Sequence, residues 1–233
     1  MTEALPLPPS GGSVEKAFAL VAELAAGAGP QRLGDLAARV GITKPTAHRL
    51  LRSLTALGYV RPLGAGAYTV GPALVGVAAA TLGALKDRPL VRRSLDDLHV
   101  RTGLTTSYAI RSGAAAVVVD NVEPDQAYRV SPRLGVPVPL DDCAAGVAML
   151  AAAEGTALPG GYAYDDGEPV RSLAAAVTHH RGAVAGALVV SGLSFTLNAE
   201  SAGVLGPLVA EQARLLSATL QAMLPPEAAE GIA

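Results

Sequence analysis

Apolar residues mark out a short helix near the start of the chain. Residues 41–61 read G-I-T-K-P-T-A-H-R-L-L-R-S-L-T-A-L-G-Y-V-R. Ala47, Leu50, Leu51, Leu54 and Leu57 recur at i, i+3, i+4 and i+7, the spacing of a buried stripe. Lys44, Thr46, His48, Arg49 and Arg52 fall off that stripe. Thr43 stands at a capping position, Pro45 suits a first turn, and Gly58 is placed to end the helix. Upstream, Ser13 caps a first helix over 14–26, with Val14, Ala17, Phe18, Val21 and Leu24 on one face. Gly27, Gly29 and Pro30 break it. Residues 33–40 form a short second helix, and Gly41 makes the turn into the third. Extended pieces at 59–62 and 67–70 flank a hairpin tip, Leu63-Gly64-Ala65-Gly66. Three helices and a hairpin predict a winged helix-turn-helix over 13–71, with Arg61 the only cation on the wing.

Residues 72–85 are Ala, Leu, Val and Gly with almost no polar face. A helix apolar all round must be buried on more than one side. A linker and dimerisation helix over 72–88 packing on a second subunit is the expectation; the alternative is an ordinary core helix. After an amphipathic helix at 90–102 the period shortens. Strands are predicted at 105–110, 114–122 and 127–130, then a small-residue helix at 143–153. A hairpin of 173–178 and 183–191 follows, around His179-His180-Arg181-Gly182, and a last helix runs from about 205 to 224. Helices and strands in this order predict an α+β domain over 89–225. Residues 1–12 read as a disordered lead-in and 226–233 as a tail.

Charge divides the chain where the pattern does. Residues 1–88 carry nine Lys/Arg against five Asp/Glu, and residues 89–233 carry nine against fifteen. From Arg32 to Arg61 there are six cations and one acid, Asp35. A basic N-terminal module beside an acidic partner domain is expected when one module meets phosphate. A single cysteine excludes an intrachain disulfide and points to a cytoplasmic chain. The N-terminus lacks the basic and apolar stretches of a signal peptide, and 70–85 is too short to span a bilayer. No Walker motif, G-x-G-x-x-G, C-x-x-C or H-E-x-x-H occurs.

The order of motifs resembles the IclR family of bacterial transcription regulators. S-V-E-K-A-F-A-L-V is similar to the family's opening helix. L-G-D-L-A-A-R-V-G-I-T-K-P-T-A-H-R-L-L-R-S-L is close to its helix-turn-helix, and L-G-Y-V-R with A-Y-T-V-G-P to its wing and linker entry. R-L-G-V-P-V-P-L, G-Y-A-Y-D-D-G-E, R-S-L-A-A-A-V and A-L-V-V-S-G follow in family order. The resemblance implies a GAF-like effector-binding C-terminal domain. It also implies a homodimer or dimer of dimers on a palindromic operator of double-stranded DNA. This chain departs from the family at Asp141-Asp142-Cys143, where a His and a Thr or Ser are usual, and at Gly146-Val147 in place of Gly-Lys. Val189 stands where a second serine is common. A helical stretch before G-Y-A-Y-D-D is missing, so the domain is shortened and its pocket trimmed.

Lys44, Pro45, Thr46, His48, Arg49, Arg52 and Arg61 are the DNA-binding candidates. Arg49 can fork onto a guanine or a phosphate. Lys44 and Thr46 suit a phosphate or a thymine methyl. The resemblance places Ala144, Ala145, Asp165, Ser172 and Ser191 in the effector pocket, with an organic acid or an aromatic or apolar metabolite as the ligand. The alternative is a pocket that has degenerated, leaving a domain that only oligomerises. A nucleophilic Cys143 with His179 or His180 has no argument from sequence beyond residue type, nor has a metal held by Asp141, Asp142, Cys143 and His179. No catalytic residue, metal, cofactor or membrane partner is expected.

Overall fold

The computed structural model describes residues 11–27, 29–179 and 182–223. The first ten residues of the lead-in, His180 and Arg181 of the hairpin tip, Leu224 and the tail 226–233 lie outside them. The chain divides into two compact units, Met1–Lys86 and Asp87–Ala233.

In the first unit, α1 (Ser13–Ala26), α2 (Leu33–Val40) and α3 (Lys44–Ala56) enclose a small core. Leu20, Val21 and Leu24 of α1 meet Leu36 of α2, Leu50 and Leu51 of α3, and Val60. Leu20, Leu36 and Leu51 are fully buried, each stabilising by roughly 1.5–3 kcal/mol. The stripe on α1 is therefore Ala17, Leu20, Val21 and Leu24. Val14 and Phe18, expected on it, are 69% and 73% exposed, because they lie about a quarter-turn round the helix. Leu57, expected on the α3 stripe, is 65% exposed: the helix has ended at Ala56 and the chain is already turning.

That turn is closed by Gly58 at φ 76°. The Tyr59 N–H donates to the Leu54 carbonyl at 3.0 Å and the Gly58 N–H to the Thr55 carbonyl at 3.0 Å, a doubled closure that a left-handed residue permits. Thr43 holds the N-cap position, yet its hydroxyl bonds the Thr46 hydroxyl at 2.9 Å instead of a backbone N–H. The wing is three-stranded. Besides β2 (Val60–Gly64) and β3 (Ala67–Val70), a two-residue β1 (Gln31–Arg32) pairs with β3, giving the order β1-β3-β2. β1 is too short to leave a period-two signature.

The apolar helix α4 (Pro72–Ala84) follows. Leu74 packs partly on the first unit's core, but none of the helix's described side chains is buried, and Val75 and Val77 are 60% and 51% exposed. The burial that its composition requires is not supplied among the described residues.

The second unit is α+β. Its six-stranded antiparallel sheet runs β6 (Pro137–Pro139), β5 (Ala115–Val122), β4 (Thr105–Ser112), β9 (Val184–Leu193), β8 (Val170–Thr178), β7 (Ala163–Asp165). α5 (Arg88–Thr102) and α7 (Ala199–Met223) cover one face, and α6 (Ala144–Glu154) the other. Successive residues serve opposite faces. Leu173, Ala175 and Val177 meet α5 and α7, whereas Ala174 and Ala176 face α6. Eight of the eleven buried residues on the α6 side are alanine, so this core is built from small side chains.

Three expectations change here. Residues 127–130 form no strand. They belong to a loop held by the Glu123 carboxylate, which accepts from Asn121 Nδ2 (2.9 Å), Arg129 Nε (2.7 Å) and Ser131 Oγ (2.7 Å). The third strand is instead β6, whose two prolines are tolerated at a sheet edge. The last helix begins at Ala199, not 205. Asn198 and Ser201 cap it reciprocally, each side-chain oxygen accepting the other's backbone N–H at 2.9 Å, and Pro207 is carried inside.

Candidate nucleic-acid interface and ligand cleft

α3 presents its basic face outward. Lys44, Pro45, His48, Arg49 and Arg52 are exposed and Thr46 is half-buried, while Ala47, Leu50 and Leu51 anchor the opposite face. Arg61 is exposed on β2. Among the described residues, Arg39 alone of the six cations between Arg32 and Arg61 is paired with a carboxylate, that of Glu23, and it also bonds Gln31. Arg49 makes one long contact, Nη2 to Ser13 Oγ at 3.5 Å, which brings the start of α1 beside the middle of α3. The result is an exposed helix face with four cationic or imidazole side chains and no acid on it.

In the second unit, an open cleft of about 650 Å³ lies at the start of α6. Cys143, the N-cap of α6, sits on its wall and accepts the Gly146 N–H at 3.4 Å while its thiol faces the Pro139 carbonyl at 3.5 Å. Burial pushes this thiol's pKa up, and the carboxylates of Asp165 and Asp142 add to the rise; the N–H groups of Gly146 and Ala145 pull the other way. Cys143 thus serves as the N-cap of α6. Its sulfur also occupies the Gly146 N–H, one of the groups that α6 would otherwise turn toward an anion.

The predicted pocket residues separate. Ala144 and Asp165 line the cleft, but Ala145 is buried behind it among the alanines of the α6 face. Ser172 and Ser191 do not line it; their hydroxyls bond each other at 2.9 Å. Register nonetheless joins the set. Asp165 pairs with Ser172, Ser172 with Ser191, and Ser191 with Thr105, so a polar row crosses β7, β8, β9 and β4. Directly paired residues share a face, and Ala174 and Val189, two residues along, belong to the α6 side. Thr105, which sequence reasoning missed, closes the row: its hydroxyl donates to the Val130 carbonyl at 2.6 Å and pins the 123–136 loop. Only the strand register reveals it.

The cleft is lined by Asp141, Asp142, Asp165 and Asp166 and by no Lys, Arg or His. Among the described residues no three His, Cys, Asp or Glu side chains gather as a metal site. His179 is half-buried at the hairpin end of β8 and is not part of the cleft. No described helix is long and apolar enough to cross a membrane.

Comparison with known proteins agrees with this architecture. The IclR helix-turn-helix domain matches residues 13–64 and the C-terminal domain of bacterial transcriptional regulator IclR matches residues 80–160, together more than half of the chain. The HTH-type transcriptional regulator XynR of Escherichia coli is 31% identical over 157 residues, covering 65% of this chain and 62% of XynR. The transcriptional repressor IclR of E. coli is 28% identical over 60% of this chain and 52% of its own length. The chain thus spans between half and two thirds of these relatives. Among solved structures, an IclR transcriptional regulator from Alicyclobacillus acidocaldarius superposes with a TM-score of 0.72 at 20% identity, covering 88% of this chain and 97% of that one. An IclR homologue from Microbacterium hydrocarbonoxydans complexed with 4-hydroxybenzoate gives 0.72 at 17% identity, over 91% and 100%. With a helix-turn-helix unit, an α+β unit and both family domains matched in order, this chain belongs to the IclR family of bacterial transcriptional regulators.

Proposed function

We propose that this protein is a cytoplasmic transcription regulator that binds palindromic double-stranded DNA as a homodimer or dimer of dimers. The observation that carries the reading is the α3 face: Lys44, His48, Arg49 and Arg52 stand exposed and, among the described residues, unpaired with acids, on a helix anchored by Ala47, Leu50 and Leu51. One helix fits the major groove, where Arg recognises guanine by two parallel hydrogen bonds. α4 supports the dimer, since an apolar helix with no buried side chain among its described residues calls for a second copy to cover it.

The test is a gel-shift titration with DNA from upstream of the protein's own gene, at fixed salt. Arg49→Ala is expected to lose on the order of 1–3 kcal/mol of specific binding, roughly 5- to 150-fold, and to relax sequence preference. Unchanged affinity and unchanged preference would overturn the assignment of Arg49.

The α+β unit is the effector-binding part of this reading, in a GAF-like role. The cleft at Ala144 and Asp165, whose β7 wall pairs through Asp165 with the Ser172–Ser191 pair, supports a small-molecule effector over a domain that only oligomerises. Four aspartates without a cation repel an organic acid, so the aromatic or apolar metabolite is the better fit. Thermal-shift screening of uncharged aromatic compounds against benzoate tests this. Stabilisation by the neutral set, weakened in Ser191→Ala, is the expected result. Stabilisation by benzoate alone would reverse the ligand class.

A further inference from the structure

The last helix carries two apolar seams, and the fold of one chain uses only one of them. Along α7, Ala202, Gly206, Val209, Ala213, Leu216 and Leu220 recur in alternating steps of four and three, and all six are buried. Val204, Leu208, Glu211, Leu215, Ala218 and Ala222 repeat the same steps two positions later. Each residue of an α-helix turns it by about 100°, so this second seam lies about 200° round, on the far side. Leu208 is half-buried and the other five are exposed, Val204 by 66% and Leu215 by 44%. Exposed apolar residues scattered singly are ordinary on a surface, whereas residues in register along one line form a strip. Alternating steps of four and three are the pattern along which two helices pack at a shallow angle, their axes roughly 8–10 Å apart. Arg101 of α5 borders the strip, with Nη2 3.4 Å from Glu211 Oε2. Arg214 is exposed and has no ion pair among the described residues.

We propose that the outer seam of α7 joins two copies of this chain, their last helices packed antiparallel about a two-fold axis. That packing sets Leu208 against the partner's Ala218, Val204 against the partner's Ala222 and Glu211 against the partner's Leu215. A long side chain meets a short one in both outer layers, so the seam is its own complement. Charge selects the second copy as the occupant. Near the axis Glu211 lies one position from the partner's Arg214, so the symmetry makes two such ion pairs, and each Glu211 keeps Arg101 on its other side. A foreign helix would have to bring an acid for Arg214, and a second copy already carries it. This inference rests on the reading in which α4 is the other subunit contact. Two different two-fold contacts on one protomer close into a dimer of dimers. The α7 seam is about 27 Å long and one helix, about 10 Å, wide. That falls well short of the roughly 800 Å² per partner of a stable interface. The α7 contact is therefore the weaker one and closes tetramers from α4 dimers as concentration rises.

The test is sedimentation velocity of the full chain over a wide concentration series, beside Leu215→Asp and Arg214→Glu. Wild type is expected to pass from dimer to tetramer. Leu215→Asp should weaken the tetramer by at least about tenfold, because the two-fold removes two leucines from the seam at once and sets two carboxylates there. Arg214→Glu should weaken it similarly at physiological salt and recover it near 1 M, where the Debye length falls to about 3 Å. A misfolded variant would not recover with salt, and circular dichroism at 222 nm should agree among the three proteins. A wild-type tetramer that survives both substitutions would overturn the α7 contact. A wild type that stays dimeric at every concentration, and that Val75→Asp with Val77→Asp makes monomeric, would also overturn it and leave the α4 reading standing. A dimer that Leu215→Asp breaks and the α4 substitutions leave intact would support the α7 contact and remove α4. A wild type that is monomeric throughout would overturn both contacts.

Discussion

Gly146 and Gly203 both sit within helices, and the same substitution should act on them in opposite directions. Alanine is favoured over glycine in a helix interior by roughly 0.5–1 kcal/mol, chiefly because glycine loses more backbone freedom on folding. At Gly203 of α7 an added Cβ meets nothing within 4 Å, so Gly203→Ala should keep this gain. At Gly146 of α6 the Cβ would fall 2.5 Å from the Leu140 carbonyl carbon and closer still to that residue's oxygen and Cα. Carbon atoms pack at about 3.5–4.0 Å, so either α6 or the turn at Leu140–Asp142 must retreat by on the order of 1 Å. The obstacle is backbone and cannot swing aside. Leu140 is only 5% exposed and its N–H donates to the Ala114 carbonyl at 3.1 Å, so the turn is held from behind.

Overpacking of this kind costs about 1–3 kcal/mol, and separating Cys143 from the Gly146 N–H removes a cap worth about 0.5–2 kcal/mol. After the helix gain, Gly146→Ala should destabilise the second unit by roughly 1–4 kcal/mol. In a unit of about 150 residues that lowers the melting temperature by about 3–15 °C, whereas Gly203→Ala raises it by about 1–4 °C. The chain has no tryptophan, so thermal unfolding is best followed by circular dichroism at 222 nm. A Gly146→Ala protein as stable as its parent would refute the reasoning, because it would mean that the turn at Leu140 yields freely.

Charging the α4 surface with Val75→Asp and Val77→Asp should shift sedimentation from dimer toward monomer and weaken operator binding; a parent that sediments as a monomer would remove α4 as the subunit contact. Hydrogen bonds from Ser131 and Arg129, with a smaller one from Asn121, hold the Glu123 carboxyl below its usual range. A depressed folded-state value means that the stabilisation is present above the ordinary glutamate range and fades as pH falls through the folded value. Glu123→Gln should therefore lower the melting temperature at pH 7, with the difference from wild type shrinking on acidification; a difference that grows on acidification would contradict the hydrogen-bond assignment.

Much of the α3 end is legible along the chain because its determinants are local. Thr43, Pro45 and Gly58 bracket α3, and the spacing of Ala47, Leu50 and Leu51 sets which face is buried, leaving Lys44, His48, Arg49 and Arg52 outside. The order of helices and strands, and the family resemblance carried by the motifs in sequence, follow from the same local patterns. Tertiary structure decided what depends on partners distant in sequence. Val14, Phe18 and Leu57 have the residue type of a core but find no facing layer. β1 exists only because Ala67 and Tyr68 lie alongside it, and that pairing alone places Arg32 beside Arg61. Asp165, Ser172, Ser191 and Thr105 are scattered over eighty-seven positions and become one row through strand register, which no periodicity encodes. A local pattern specifies which way a side chain points on its own element. Which neighbour it meets there is settled only when the sheet assembles.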